Sequence, residues 1–251
     1  MDLTVVGCSG SFPGPDGAAS CYLLEAEGFR LLLDLGNGAL GALQRYAGLD
    51  QVDAIILSHL HADHCLDMCA YEVVRGYWPA GPLPPIPVYG PAGTPERLDR
   101  AARAEDGEAA GGPAMARFFD FVTLAPGLVE VGPFRMTADR MNHPVETFGF
   151  RLEHAGRIIA YSADTGPSDA LAGLAAGADV LLCEASFTQE PGLPADLHLT
   201  AAQAAGYAAR ADVGRLVLTH LVPWNSRERA LAEAARHFRG ALELARPGLV
   251  I

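Results

Sequence analysis

The chain has 251 residues, 50% hydrophobic and 19% charged, which excludes a disordered protein and is long enough for one α/β domain with a substantial core. Its net charge is −12, from 30 acidic against 18 basic residues, which excludes a general nucleic-acid binder that works through a positive field. All 18 basic residues are arginine, a bias that speaks of genome composition more than of function.

In chain order, Leu3–Val6 is a short apolar strand that runs into the small-residue turn Gly7-Cys8-Ser9-Gly10-Ser11. Those glycines invite a phosphate-loop reading, but their spacing fits neither the dinucleotide nor the P-loop pattern, and no lysine is available. Ser20–Ala26 and Phe29–Asp34 form a hairpin through Glu27-Gly28, and Gly36–Tyr46 has the apolar spacing of a helix. Val52 with Ala54–Leu57 reads as a fully buried strand. Directly after it, His59-Leu60-His61-Ala62-Asp63-His64 places three histidines and one aspartate in six positions. In an extended segment His59 and His61 would share one face about 6.5 Å apart, a spacing that suits two imidazoles on one ion. Asp63 and His64 follow on a turn, where neighbouring side chains diverge, and are expected to face a second ion.

Leu66–Trp78 reads as a helix ended by a proline-rich stretch, Ile86–Tyr89 as a strand, and Thr94–Ala104 as a helix with Thr94 as N-cap. Gly107–Pro113 is a small-residue loop. Phe118–Thr123, Val129–Val131 and Phe134–Arg140 are consecutive strands, followed by His143. Phe148–Glu153 and Arg157–Tyr161 make a hairpin whose second strand leads to Asp164. After a helix at Ser168–Ala176, the buried strand Asp179–Cys183 ends in Glu184. His198 precedes the helix Ala201–Ala211, whose Thr200 and Gln203 form a capping box. Leu216–Thr219 ends in His220, and Asn225 with Glu228 is expected to cap a last helix running to about Phe238.

Strands and helices alternate without a break in composition, so the fold class is α/β in a single domain, 1–251. The five cysteines, Cys8, Cys21, Cys65, Cys69 and Cys183, are odd in number and contain no CxxC pair, so no disulfide framework is expected. No basic leader precedes the first strand, and no apolar run reaches the ~18 residues of a membrane span, so no membrane association is expected and the chain reads as cytoplasmic.

One pattern recurs: a short apolar strand followed at once by a histidine or an acid, at His59/His61, His143, Asp164, Glu184 and His220. In α/β folds functional groups gather at strand ends, where loops line a crevice. Six of the eight histidines fall there or in the loop before the alanine-rich helix; His154 and His237 read as surface residues. His59, His61 and His143 would complete one metal ion and Asp63, His64 and His220 a second, with Asp164 as the bridge. The donors suit two Zn2+ ions, and Mn2+ or Fe2+ would also accept them. Water between such ions is deprotonated near neutral pH and attacks phosphorus or a carbonyl. Two divalent ions also reverse the local sign of an acidic protein, which suits a small anionic substrate.

SHLHADH resembles the HxHxDH signature of the metallo-β-lactamase superfamily, and His143, Asp164 and His220 fall where that superfamily's later ligands belong. The resemblance covers the whole chain and implies an αββα sandwich with the metals at one edge. GCSGSFPGP, ADTGPSD, CEASF and HLTAAQAAGYAARADVGRLVLTH are similar to the branch containing the tRNA 3′-end-processing endonuclease. That branch implies that Glu184 and His198 assist proton transfer to the leaving oxygen, that Asp63 belongs with them among the catalytic groups, and that the protein is a homodimer. The tRNA-processing enzymes carry a long basic arm where this chain has only the 20 residues between His143 and Asp164, so structured RNA is not expected as substrate. The chain is most similar to single-domain actinobacterial cyclic-nucleotide phosphodiesterases, which share the GCSGS start, the SHLHADHCLD run, HPxExFG and THxxPW. That similarity implies hydrolysis of a small cyclic nucleotide, 3′,5′-cyclic AMP foremost, by a metal-bridging hydroxide. Phe12, Tyr22, Tyr71 and Trp224 are the aromatic candidates to stack on a base. The alternatives are hydrolysis of a cyclic sugar phosphate, lactone or thioester, RNA 3′-end cleavage, and a non-enzymatic scaffold with a vestigial metal site.

Overall fold

Apolar runs separated by tight turns build two seven-stranded sheets whose inner faces meet. The computed structural model describes residues 1–103 and 114–251, so the expected loop Gly107–Pro113 lies outside the described residues. The first sheet contains β1 (Asp2–Ser9), β2 (Ala18–Ala19), β3 (Cys21–Ala26), β4 (Phe29–Leu33), β5 (Ala54–Ile56), β6 (Ile86–Gly90) and β7 (Phe119–Thr123), in the order β2-β1-β3-β4-β5-β6-β7. The second contains β8 (Gly127–Val131), β9 (Phe134–Arg140), β10 (Phe148–His154), β11 (Arg157–Tyr161), β12 (Val180–Glu184), β13 (Arg215–Thr219) and β14 (Ala241–Leu244), in the order β14-β13-β12-β11-β10-β9-β8. Each begins as antiparallel hairpins and continues as parallel strands, β4 to β7 in one and β11 to β14 in the other. Both two-residue hairpins carry the left-handed pair that matches strand twist, Glu27-Gly28 at φ 52° and 81° and Ala155-Gly156 at φ 50° and 80°.

Helices α1 (Ala39–Leu43), α2 (Ala62–Cys65), α3 (Met68–Gly76) and α4 (Thr94–Ala102) cover the outside of the first sheet. Helices α5 (Asp169–Ala175), α6 (Ala201–Arg210) and α7 (Arg227–Ala234) cover the second. The result is the αββα sandwich that the resemblance implied. Its central layer is a dry core in which Leu3, Tyr22 and Leu24 of one sheet meet Phe134, Phe150 and Leu152 of the other. The parallel strands put their C-terminal ends along one edge, so the residues just past β4, β5, β11, β12 and β13 are neighbours.

Several local expectations change. The helix read at Leu66–Trp78 is the shorter α3, Met68–Gly76, set off from the preceding α2 where Asp67 accepts a hydrogen bond from Leu40 N and donates its own N–H to Leu35 O. Thr94 is not an N-cap: Gly93, at φ 81°, takes that place, and Thr94 Oγ1 donates to Pro91 O at 2.7 Å. Asn225 does not cap α7; Ser226 does, accepting from Arg229 N, while Asn225 donates to Ser186 O. The Thr200–Gln203 capping box is present as expected. All five cysteines are free, and among the described residues no helix is long and apolar enough to cross a membrane.

Phe150 is fully buried between the sheets, so Phe150→Ala should cost about 3–5 kcal/mol of stability by burial lost and cavity left. A urea titration followed by circular dichroism checks it, and a loss below 1 kcal/mol would show that the inter-sheet core is not packed as described.

Candidate metal centre

The last ladder bond of the β5–β6 pair runs from Leu57 N to Tyr89 O, and the chain then turns away, so the histidine run is not extended. His59 and His61 therefore do not reach a common point by strand alternation. They meet because Ser58 turns back to Asp34 and His61 opens the one-turn helix α2, which brings His59 Nε2 and His61 Nδ1 to 3.0 Å. His143, in the loop from β9 to β10, places its Nε2 3.3 Å from His61 Nδ1. A second group forms beside it: His220 Nε2 lies 3.2 Å from His64 Nε2 and 3.0 Å from Asp63 Oδ2.

Asp164 stands between the groups. Its Oδ2 faces His59 Nε2 at 3.8 Å, while its Oδ1 faces His64 and His220 at 3.3 and 3.4 Å. All seven expected ligands thus converge into two sets that share Asp164. Two observations fit this geometry to metal ions. Donor atoms about 3.3 Å apart are what a tetrahedral shell with Zn–N of ~2.0–2.1 Å requires. Asp164 Oδ1, moreover, is buried without a directed hydrogen bond, an arrangement that costs free energy unless a cation meets it.

The imidazoles are held in the tautomer a metal needs, because their outward nitrogens are already engaged. His64 Nδ1 donates to Asp34 Oδ2 at 2.8 Å, His143 Nδ1 to Leu197 O at 2.9 Å, His220 Nδ1 to Ser186 Oγ at 2.7 Å and His59 Nδ1 to Ser58 Oγ at 3.1 Å. Such outer partners set ring orientation and ligand basicity. Burial lowers the pKa of His59, His61 and His143, favouring the neutral, ligating form. Burial acts in the same direction on His64, but the Asp164 and Asp34 carboxylates outweigh it and raise that ring above its ordinary value. For Asp164, burial favours the neutral acid, yet His220, His64 and His59 hold it well below the usual carboxylate range.

The sequence reading missed Asp34. Fully buried, it accepts from Ser58 N at 2.7 Å and Ser58 Oγ at 2.9 Å, and from Tyr161 Oη at 2.7 Å in addition to His64. The signal was present, since Asp34 directly follows the apolar run Leu31-Leu32-Leu33, as the ligands follow their strands. Gly36 serves the same corner: a Cβ there would lie 1.9 Å from Asp63 O, so only glycine lets the loop pass α2.

Glu184 and His198 form a third group with His220. Glu184 is fully buried and its two oxygens are fully used, Oε1 by Thr165 N at 2.8 Å and His198 Nδ1 at 2.9 Å, Oε2 by Ser186 N and Ser186 Oγ. It is therefore a hydrogen-bond acceptor that orients His198, with no oxygen left over for an ion. Burial lowers the His198 pKa, but the hydrogen bond and charge of Glu184 outweigh it and raise the ring above its ordinary value. Ser186 links this pair to His220, donating to Glu184 while receiving from His220 Nδ1. Of the aromatic candidates, Tyr22 and Tyr71 are fully buried in the core, whereas Trp224 is 75% exposed and Phe12 packs against it. His154 donates to Pro133 O, away from the centre.

A profile of the beta-lactamase superfamily domain matches residues 30–221. An uncharacterized protein of Mycobacterium leprae is 45% identical over 241 residues, 95% of this chain and 84% of that one. A ribonuclease Z of Mycolicibacterium gilvum is 34% identical over 252 residues, covering 89% and 85%. Among solved structures, the metallo-beta-lactamase fold protein YhfI of Bacillus subtilis is similar with a TM-score of 0.87 at 26% identity, over 100% of this chain and 98% of that one.

Metal analysis should find two equivalents of divalent ion per chain in the protein purified without chelator. Asp164→Ala, which removes a donor from both sets, should lose both; Asp34→Ala, which frees the outer face of His64, should weaken binding by about 10–100-fold in a competition titration. Retention of two ions by Asp164→Ala would refute the bridging assignment.

Proposed function

The chain belongs to the metallo-β-lactamase superfamily and is a metal-dependent hydrolase, and from that premise we propose that it is a phosphodiesterase opening a small cyclic nucleotide, 3′,5′-cyclic AMP foremost. The observation that carries this reading is the Glu184–His198 pair, set beside the two ligand groups with His198 Nδ1 committed to Glu184 at 2.9 Å. When bound, two divalent ions at these groups supply charge for the phosphate oxygens and generate a nucleophile from water at neutral pH. Asp63 is the least buried carboxylate of the centre, at 7% exposure, and is placed to take a proton from water. His198, protonated and steadied by Glu184, gives its proton from Nε2 to the departing 3′ oxygen, leaving 5′-AMP. An alkoxide needs that proton, whereas the thiolate leaving from a thioester does not.

The relative named ribonuclease Z supports phosphodiester chemistry at this site. Its RNA substrate does not transfer, for two reasons. The 20 residues between His143 and Asp164 are spent on β10, its hairpin and β11 inside the sheet, leaving none for an arm. The net charge of −12 also opposes a polyanion.

The metal-loaded protein should convert 3′,5′-cyclic AMP to 5′-AMP by liquid chromatography. Inertness towards this and the 2′,3′-cyclic nucleotides, with turnover of a lactone or thioester, would overturn the assignment. His198→Ala should lower kcat on cyclic AMP by about 10²–10⁴-fold and affect a p-nitrophenyl phosphodiester far less, since p-nitrophenolate leaves without a proton. Equal losses on both would remove His198 as the acid.

A further inference from the structure

We propose that the cavity between the segment following β12 and the Phe12–Trp224 pair is the base-binding pocket of this site, with the Trp224 indole as its stacking wall. The inference rests on the phosphodiesterase reading above. The cavity has a volume of about 460 Å³, within the range of small-ligand sites and ample for a nucleoside. His198 closes its inner end and Trp224 stands at its rim; Leu193, Leu197 and Val222 supply apolar walls. Its one acid, Glu190, is exposed and pairs with Arg229 at 3.0 Å, a guanidinium it shares with Glu233.

Connectivity selects this side of the centre. The oxygen that His198 protonates belongs to the ribose, so the ribose and its base must lie against His198. Among the described residues, His198 lines two cavities. The larger, about 710 Å³, is lined by Tyr207, whose ring the Arg210 guanidinium covers at 4.7 Å and whose Oη accepts from Ser168 N, and by Phe187, which it shares with the smaller one. The smaller one has the open face. Trp224 is 75% exposed, yet Phe12 packs on it with ring centroids 5.0 Å apart, which holds the indole in place. A third cavity, on the His61 side and lined by Leu60, Arg97 and Val145, contains no aromatic ring.

The inner end of the pocket is also prepared. Phe187 meets His198 edge-on at 5.2 Å, fixing the ring plane. Ser11, another lining residue, holds a left-handed φ of 63° with its backbone N 3.4 Å from His220 Nε2, so the pocket abuts the second ligand group. Gly10 permits that approach, since a Cβ there would lie 2.4 Å from His220 O. An aromatic wall outside and the His198 imidazole inside match a nucleoside, whose base stacks while its sugar and phosphate point inward.

The test compares cyclic AMP with methyl p-nitrophenyl phosphate, a diester without a base. Trp224→Ala should raise KM for cyclic AMP about ten- to a hundredfold, the range that one base–aromatic stack carries, with a much smaller change in kcat. Its effect on the base-free ester should be at least tenfold smaller, and Trp224→Phe should recover most of the KM. An unchanged KM in Trp224→Ala, or an equal loss on both esters, overturns the pocket while leaving the phosphodiesterase reading intact. A wild-type protein inert on every phosphodiester defeats both.

Discussion

One buried carboxylate ties the molecule together. Asp34 ends β4 in the first sheet, yet it receives hydrogen bonds from Ser58 beyond β5, from His64 on α2 and from Tyr161 on β11 of the opposite sheet. A buried acceptor in this position must be met from every side, because an unpaired charge there is far costlier than the net worth of any one bond. That demand fixes the turn after β5, the tautomer of His64 and the distance between the sheet edges. The two ligand groups then fall into place as a consequence of where the strands end.

The price is visible in the backbone. Asp34, Ala163 and His220 all sit in the left-handed region, at φ 60°, 49° and 54°, and none is glycine. Each such residue costs of the order of 1 kcal/mol and persists only where its surroundings over-determine it. All three lie at or next to the C-terminal ends of parallel strands, where the chain must turn sharply to aim a side chain across the sandwich edge. The dense inter-sheet core, with Phe134, Phe148 and Phe150 fully buried, supplies the stability against which this strain is held.

The seven candidate ligands were legible because histidine and aspartate after an apolar strand are both chemically distinctive and positionally regular. The groups that orient them were not. Ser58, Ser186 and Thr165 are common residues with many uses, and their roles depend on partners 24, 34 and 19 positions away. Helix caps failed for a related reason: Thr94 and Asn225 were plausible side chains one residue away from the true caps, and a local hydrogen bond to Pro91 O in one case and a tertiary one to Ser186 O in the other decided the matter. The strand β14 carried no signal, being a half-exposed edge that depends on β13 for its register. His59 and His61 were paired correctly through an incorrect geometry, since the turn enforced by Asp34 replaced the strand alternation that the spacing alone implied.

The shared carboxylate has a consequence for how the protein is made. Translation delivers the first four candidate donors by residue 64, but Asp164 arrives a hundred residues later and His220 after a further 56. Neither donor group is therefore complete until the second sheet has folded against the first. Selection of an ion begins only when the second sheet docks and brings Asp164 across.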